Sequence, residues 1–85
     1  MNYLVKMTSE AEKEFGFLDK TAQKRVRERL SGLSLDPYDQ RISKPLKMMR
    51  GKRSSRVGDW RILYSVDEAL KVVEILAVRS RKEAY

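Results

Sequence analysis

Residues 51–66, GKRSSRVGDWRILYSV, read as two β-strands joined by a two-residue turn. Gly58-Asp59 between two β-rich runs is a hairpin signal, because such turns need the positive φ that glycine adopts freely. In the second strand Trp60, Ile62, Tyr64 and Val66 fall on one face, the spacing of a half-buried strand. In the first, Lys52, Ser54 and Arg56 share one face while Arg53 and Ser55 share the other. Arg61 lies across the hairpin, flanked by the core residues Trp60 and Ile62. An arginine there is costly to bury unpaired, so it faces a polar concavity or holds a partner. Pairing with a nearby acid such as Glu74 would account for it without any function.

Outward from the hairpin, Asp67-Glu68 begins a turn, and Leu70 to Val78 forms a mostly apolar strand suited to a central position. Near the N-terminus Tyr3-Leu4-Val5 is a short β-rich run. Ser9 and Glu12 give a capping-box spacing, followed by Ala11, Phe15 and Leu18 at helical intervals. A second helix starts near Asp19, with Ala22, Val26, Leu30 and Leu33 on its inner face and basic residues on a solvated one. Leu35-Asp36-Pro37 ends it, and the chain to Pro45 reads as loop. The expectation is one α+β domain over residues 1–85, ordered β-α-α-β-β-β. An antiparallel helix pair packs on a mostly antiparallel four-stranded sheet.

The charge is distributed unevenly. Residues 41–66 hold eight basic side chains against Asp59 alone, a net +7, whereas residues 1–40 hold seven of each sign and residues 67–85 four of each. The entire net charge is thus aimed from the hairpin segment at a polyanion, nucleic acid first among the candidates. The chain has neither cysteine nor histidine. That removes disulfides, Cys- or His-ligated metals, Ser-His-Asp triads and paired-histidine RNA cleavage. No apolar run reaches membrane-span length and the start lacks a signal-peptide core, so a cytoplasmic protein without membrane association is expected.

A second basic cluster, Arg79, Arg81 and Tyr85, follows the last strand. Its bland alternative is a frayed basic end. Trp60, Met48 and Met49 read as core rather than as base-stacking surface. If the polyanion is RNA and the site cleaves it, attack by a ribose 2′-OH needs a proton acceptor, a donor for the 5′-oxygen and cations around the phosphate. Arginine supplies charge and bidentate geometry but no ordinary base. Without histidine the acceptor is a lysine, a tyrosine or a carboxylate. Tyr85 starts near pKa 10 and close cations lower it by about 1–3 units each. Its own terminal carboxylate opposes that, which makes Lys52 a competing acceptor.

The order of elements, RVGDWRILYSV at residues 56–66 and the ending VRSRKEAY resemble the RelE/ParE superfamily of toxin–antitoxin toxins, closest to its RelE-like branch. The resemblance implies a metal-independent, cofactor-free messenger-RNA endonuclease acting in the ribosomal A site. Such enzymes leave a 2′,3′-cyclic phosphate and a 5′-OH, and an antitoxin wraps around them. It implies that Arg61 contacts the scissile phosphate, Arg81 stabilises charge and protonates the leaving group, and Tyr85 orients or stacks on the substrate. Arg56 takes an electrostatic role. Ser54 stands where the family carries a second strand cation, so Lys52 substitutes for it, and Ser80 stands where many relatives have histidine or lysine. Lys47, Arg50, Arg53 and Arg79 are expected to contact RNA or ribosome. The expected partners are ribosome, message and a cognate antitoxin with an acidic helical segment. The same superfamily admits a ParE-like gyrase poison and a non-catalytic binder of RNA, ribosome or antitoxin.

Overall fold

The two-residue turn organises the computed structural model, which describes residues 2–80. Val57 pairs with Trp60 across it, and Gly58 sits at φ +59, a left-handed conformation that costs other L-residues about 1–2 kcal/mol. The hairpin strands are Lys52–Val57 and Trp60–Asp67. In chain order the elements are β1 Leu4–Met7, α1 Ser9–Gly16, α2 Lys20–Leu35, β2 Lys44–Pro45, β3 Lys52–Val57, β4 Trp60–Asp67 and β5 Val72–Ser80.

They build a single mixed sheet in the order β1-β5-β4-β3-β2. β1 runs parallel to β5, and the other pairs are antiparallel. Among the described residues the sheet therefore has five strands, not the four expected. The extra one, Lys44–Pro45, lies in the segment read as loop. Two residues show no periodicity, and a proline without an N–H fits only at a sheet edge. β5 starts two residues later than its apolar run, because Lys71 turns the chain at φ +54 and leaves Leu70 exposed. Helix α1 is capped by Thr8 rather than Ser9. Thr8 Oγ1 accepts the Ala11 N–H at 3.1 Å while its own N–H donates to Ile75 O, so the chain leaves β1 one residue earlier. Helix α2 starts where expected, and Asp19 caps it, accepting the Ala22 N–H at 2.7 Å.

One sheet face carries Val57, Ile62, Tyr64, Val73, Ile75 and Val78, all buried against Ala11, Leu18, Val26 and Leu33 of the helical segment. Helix α1 lies on β5 and β1, and α2 on β3 and β1. Among the described residues no helix is long and apolar enough to cross a membrane.

A chain of hydrogen bonds pins the segment after α2 to this core. Arg53 Nε donates to Ser43 Oγ at 2.8 Å, the Ser43 and Tyr64 hydroxyls bond to each other, and Tyr64 donates to the Pro37 carbonyl at 2.6 Å. Each hydroxyl can donate in the same direction, so the buried polar atoms are satisfied in series. Next to this chain of bonds, Glu68 accepts from Lys71 at 2.8 Å, from Tyr38, and from Tyr3 at 2.9 Å. These bonds hold its carboxyl down at about 2, with Lys71 the leading cause. Burial first, and the Glu68 bond second, push Tyr38 up to about 12.

Tyr64→Phe should strand Ser43 and the Pro37 carbonyl and cost about 1–3 kcal/mol in urea unfolding; an unchanged midpoint would show that the relay adds nothing. A carboxyl held below its ordinary 4.5 stabilises the fold above that value and loses the effect as pH falls toward about 2. Glu68→Gln should therefore flatten the acid loss of stability between those limits, measured by thermal unfolding against pH. A slope equal to that of the wild type would contradict this.

Candidate nucleic-acid interface

The strand register that buries Ile62 and Tyr64 forces their neighbours to the opposite face. Arg56 on β3 pairs with Arg61 on β4, and Arg61 with Arg79 on β5. Three guanidinium-bearing positions thus form one row across three strands beside the hairpin turn. Alternation in the antiparallel ladder makes Arg56 and Arg61 the closer, non-hydrogen-bonded kind of pair, next to the pair that closes the turn. The row concentrates positive charge on one face, the kind of patch that attracts an anion. Arg79 is offset by α1, with Nε 3.2 Å from Glu14 and Nη2 3.6 Å from Glu10. Glu14 also accepts the Val78 N–H at 2.9 Å, closing the edge of β5 beyond the end of β1. Arg56 Nε reaches back to the Gly58 carbonyl at 3.4 Å.

Arg56 and Arg61 open onto a concavity of about 620 Å³ between the sheet and residues 40–49. Ser54 and Leu63 line it from the sheet. Its rim carries Arg41, Lys44 and Lys47, and no acidic residue lies between Asp39 and Asp59. Arg29 joins it from α2, donating to Ser55 Oγ at 3.0 Å and to the Arg56 carbonyl at 2.6 Å. It thereby serves the stretch of β3 that β2 does not cover.

The sequence-derived candidates separate by position. Arg56, Arg61 and Arg79 come together. Lys52 shares their face but pairs with Ser65, four residues along β3 from Arg56 or about 13 Å by strand rise. Ser54 lies between them, only 8% exposed. Lys47 and Arg50 are exposed on the turn before β3, and Lys47 reaches the cavity rim. Arg53 turns to the other face, where its guanidinium stacks over the Tyr38 ring at 5.1 Å and bonds Ser43. Glu74 pairs with Ser65, so the register does not place it beside Arg61. Arg81 and Tyr85 lie outside the described residues; β5 ends at Ser80, opposite Trp60 and next to the Arg61–Arg79 pair.

Two features escaped the sequence reading. Arg29 sits among the basic residues of α2 and looks solvated, yet it is half-buried against β3 through contacts 26 and 27 residues away. No local pattern signals that. Met48 and Met49, read as core, are 95% and 48% exposed. The tight turn at Gly51, φ +78, holds them outward, and the run of flanking cations was the signal that could have indicated it.

Residues 5–85 match the family model described as the ParE toxin of the type II toxin–antitoxin system, parDE. Among solved structures, the toxin–antitoxin complex RelBE2 from Mycobacterium tuberculosis holds a chain 32% identical to this one. That match has a TM-score of 0.82 and covers 95% of this chain and 100% of the other. The archaeal RelE–RelB complex from Pyrococcus horikoshii OT3 matches at 28% identity and TM-score 0.83, covering 99% of this chain and 100% of that one. The intact E. coli RelBE complex shares the fold at 21% identity and TM-score 0.81, over 92% of this chain and 95% of that one. No curated protein sequence matches the chain.

If the row binds phosphate, inorganic tripolyphosphate at a hundred times its Kd should raise the unfolding free energy by about 2.7 kcal/mol. The gain should shrink as sodium chloride rises. The double variant Arg56→Gln/Arg61→Gln should lose it in differential scanning calorimetry; full retention would move the anion site elsewhere.

Proposed function

The chain belongs to the ParE toxin family of type II toxin–antitoxin systems, in the RelE-like branch of the RelE/ParE superfamily, and from that premise we propose that it is a ribosome-dependent endonuclease cutting messenger RNA in the A site. The observation that carries this reading is the Arg56–Arg61–Arg79 row, of which Arg56 and Arg61 line a nucleotide-sized, cation-rimmed cavity.

In the proposed reaction the ribose 2′-oxygen attacks the adjacent phosphorus, forming the 2′-O–P bond as the P–5′-O bond breaks. The 2′ proton passes to a base and the 5′-oxygen takes one up, so no net redox change or water is needed. Charge accumulates on the non-bridging oxygens during this step. Arg61 and Arg56, held rigidly on paired strands, are placed to stabilise it without reorganising. Arg81 follows directly from β5 and is assigned the proton for the 5′-oxygen, with Tyr85 orienting the substrate. Lys52 is the proton acceptor on the same face. Lys52 and Arg56 stand four residues apart on one strand, so their long side chains must converge over Ser54 on a single phosphate step. The ribosome's part is to present the phosphate in line, the positioning that a small open site does not supply by itself.

Lys47 and Arg50 are assigned to the ribosome or message backbone. Arg79, already engaged by Glu10 and Glu14, contributes charge at the row's end, and Arg53 supports the fold more than it meets RNA. A cognate antitoxin with an acidic helical segment is the proposed regulator, as the toxin–antitoxin complexes of the relatives suggest. It would cover the cationic face in a salt-dependent manner. The family model's description favours, as a second reading, a ParE-like protein that traps DNA gyrase. Such a protein has no need of the arginine row.

Primer extension on a message translated in a purified system should show cuts inside the A-site codon with wild type. Arg61→Ala should reduce them by about 10²–10³-fold, and ribosome-free RNA should stay intact. Full cleavage by Arg61→Ala would remove the row from the mechanism.

A further inference from the structure

The turn between β2 and β3 exposes apolar side chains where charge would serve solubility better. Met48 is 95% exposed and Met49 48%. The turn is fixed: Leu46 N–H donates to Lys52 O and Lys52 N–H to Met49 O, each at 3.0 Å, and Gly51 adopts φ +78. Both methionines line the same cavity as Arg56 and Arg61, together with Leu46 and Leu63. One concavity therefore combines an apolar wall with guanidinium groups. The Gln40 amide, which both donates and accepts, also lines it.

A nucleotide has that same combination, a flat apolar base one sugar away from an anionic phosphate. At about 620 Å³ the cavity falls within the about 300–1,000 Å³ of ordinary small-ligand sites. Thioethers are polarisable, adaptable partners for aromatic faces, and single-stranded RNA is commonly read by stacking with hydrogen bonds at base edges. We infer that Met48 and Met49 form a base-binding subsite that holds the nucleotide next to the phosphate at Arg56 and Arg61, with Gln40 at the base edge, and that this subsite sets the codon preference. The inference rests on reading the cavity as an RNA site and assigns it specificity residues. Charge complementarity selects RNA as occupant: residues 40–58 contain no acid, and the apolar wall lies inside the cationic cavity.

The test uses a 2′-O-methyl trinucleotide, which cannot be cut, and the same molecule with its central base removed. Wild type should bind the base-containing form about tenfold tighter or more. Met48→Ala/Met49→Ala, altered only at exposed positions, should bind both forms equally while keeping the salt-dependent affinity for the abasic one. Arg61→Ala should weaken both. Equal binding by wild type, or a preference that survives in the methionine variant, would overturn the subsite. So would a variant that loses affinity only for an acidic antitoxin peptide, since the wall would then serve a protein partner. The subsite is independent of cleavage here: a wild type that prefers the base yet never cuts a message sinks the endonuclease reading and leaves the subsite standing. On A-site codon libraries the methionine variant should redistribute cuts among codons, whereas Arg61→Ala lowers them all.

Discussion

The period of two in the β3–β4 hairpin is the constraint on which the rest depends. The Gly58-Asp59 turn fixes Val57 opposite Trp60, and every later pairing follows from it. Ile62 and Tyr64 go to the core, so Arg56 and Arg61 go to the other face. A slip of one residue would bury the arginines and expose the core. Stability and charge placement are thus one property of the sequence. The energy of burying Ile62, Tyr64, Val73 and Ile75 holds like charges side by side. The positive charge gathered in that row is the feature on which the proposed activity draws.

The second requirement is a wall opposite the sheet. Residues 40–49 have little regular structure, yet they form one side of the cavity. The Arg53–Ser43–Tyr64–Pro37 relay fastens that segment to the core from behind. Arg53 therefore acts from the face opposite Arg61, shaping the cavity by holding its wall. The same local excess of positive charge supplies both the strut and the proposed binding residues, and only the strand register separates the two.

That separation explains what the sequence could and could not convey. The hairpin, both helices and the facing of Lys52, Ser54 and Arg56 were legible because turn chemistry and periodicity act over a few residues. The parallel pairing of β1 with β5 and the edge strand Lys44–Pro45 were not, since both depend on contacts far apart in the chain. Arg29 and the α1 acids that hold Arg79 belong to the same class: side chains that complete the β3 and β5 edges only once the helices have docked. Met48 and Met49 misled for a different reason. Hydrophobicity predicts burial only on average, and a rigid turn can hold such residues in solvent for another molecule.

The most direct test of the central claim is the chemistry of the ends left on a ribosome-bound message exposed to the protein. Attack by the 2′-oxygen under the arginine row predicts a new 3′ end inside the A-site codon that carries a 2′,3′-cyclic phosphate, with a 5′-OH on the downstream fragment. Fragments ending in a free 3′-OH with 5′-phosphate partners would contradict it, as would an intact message alongside gyrase-linked DNA breaks.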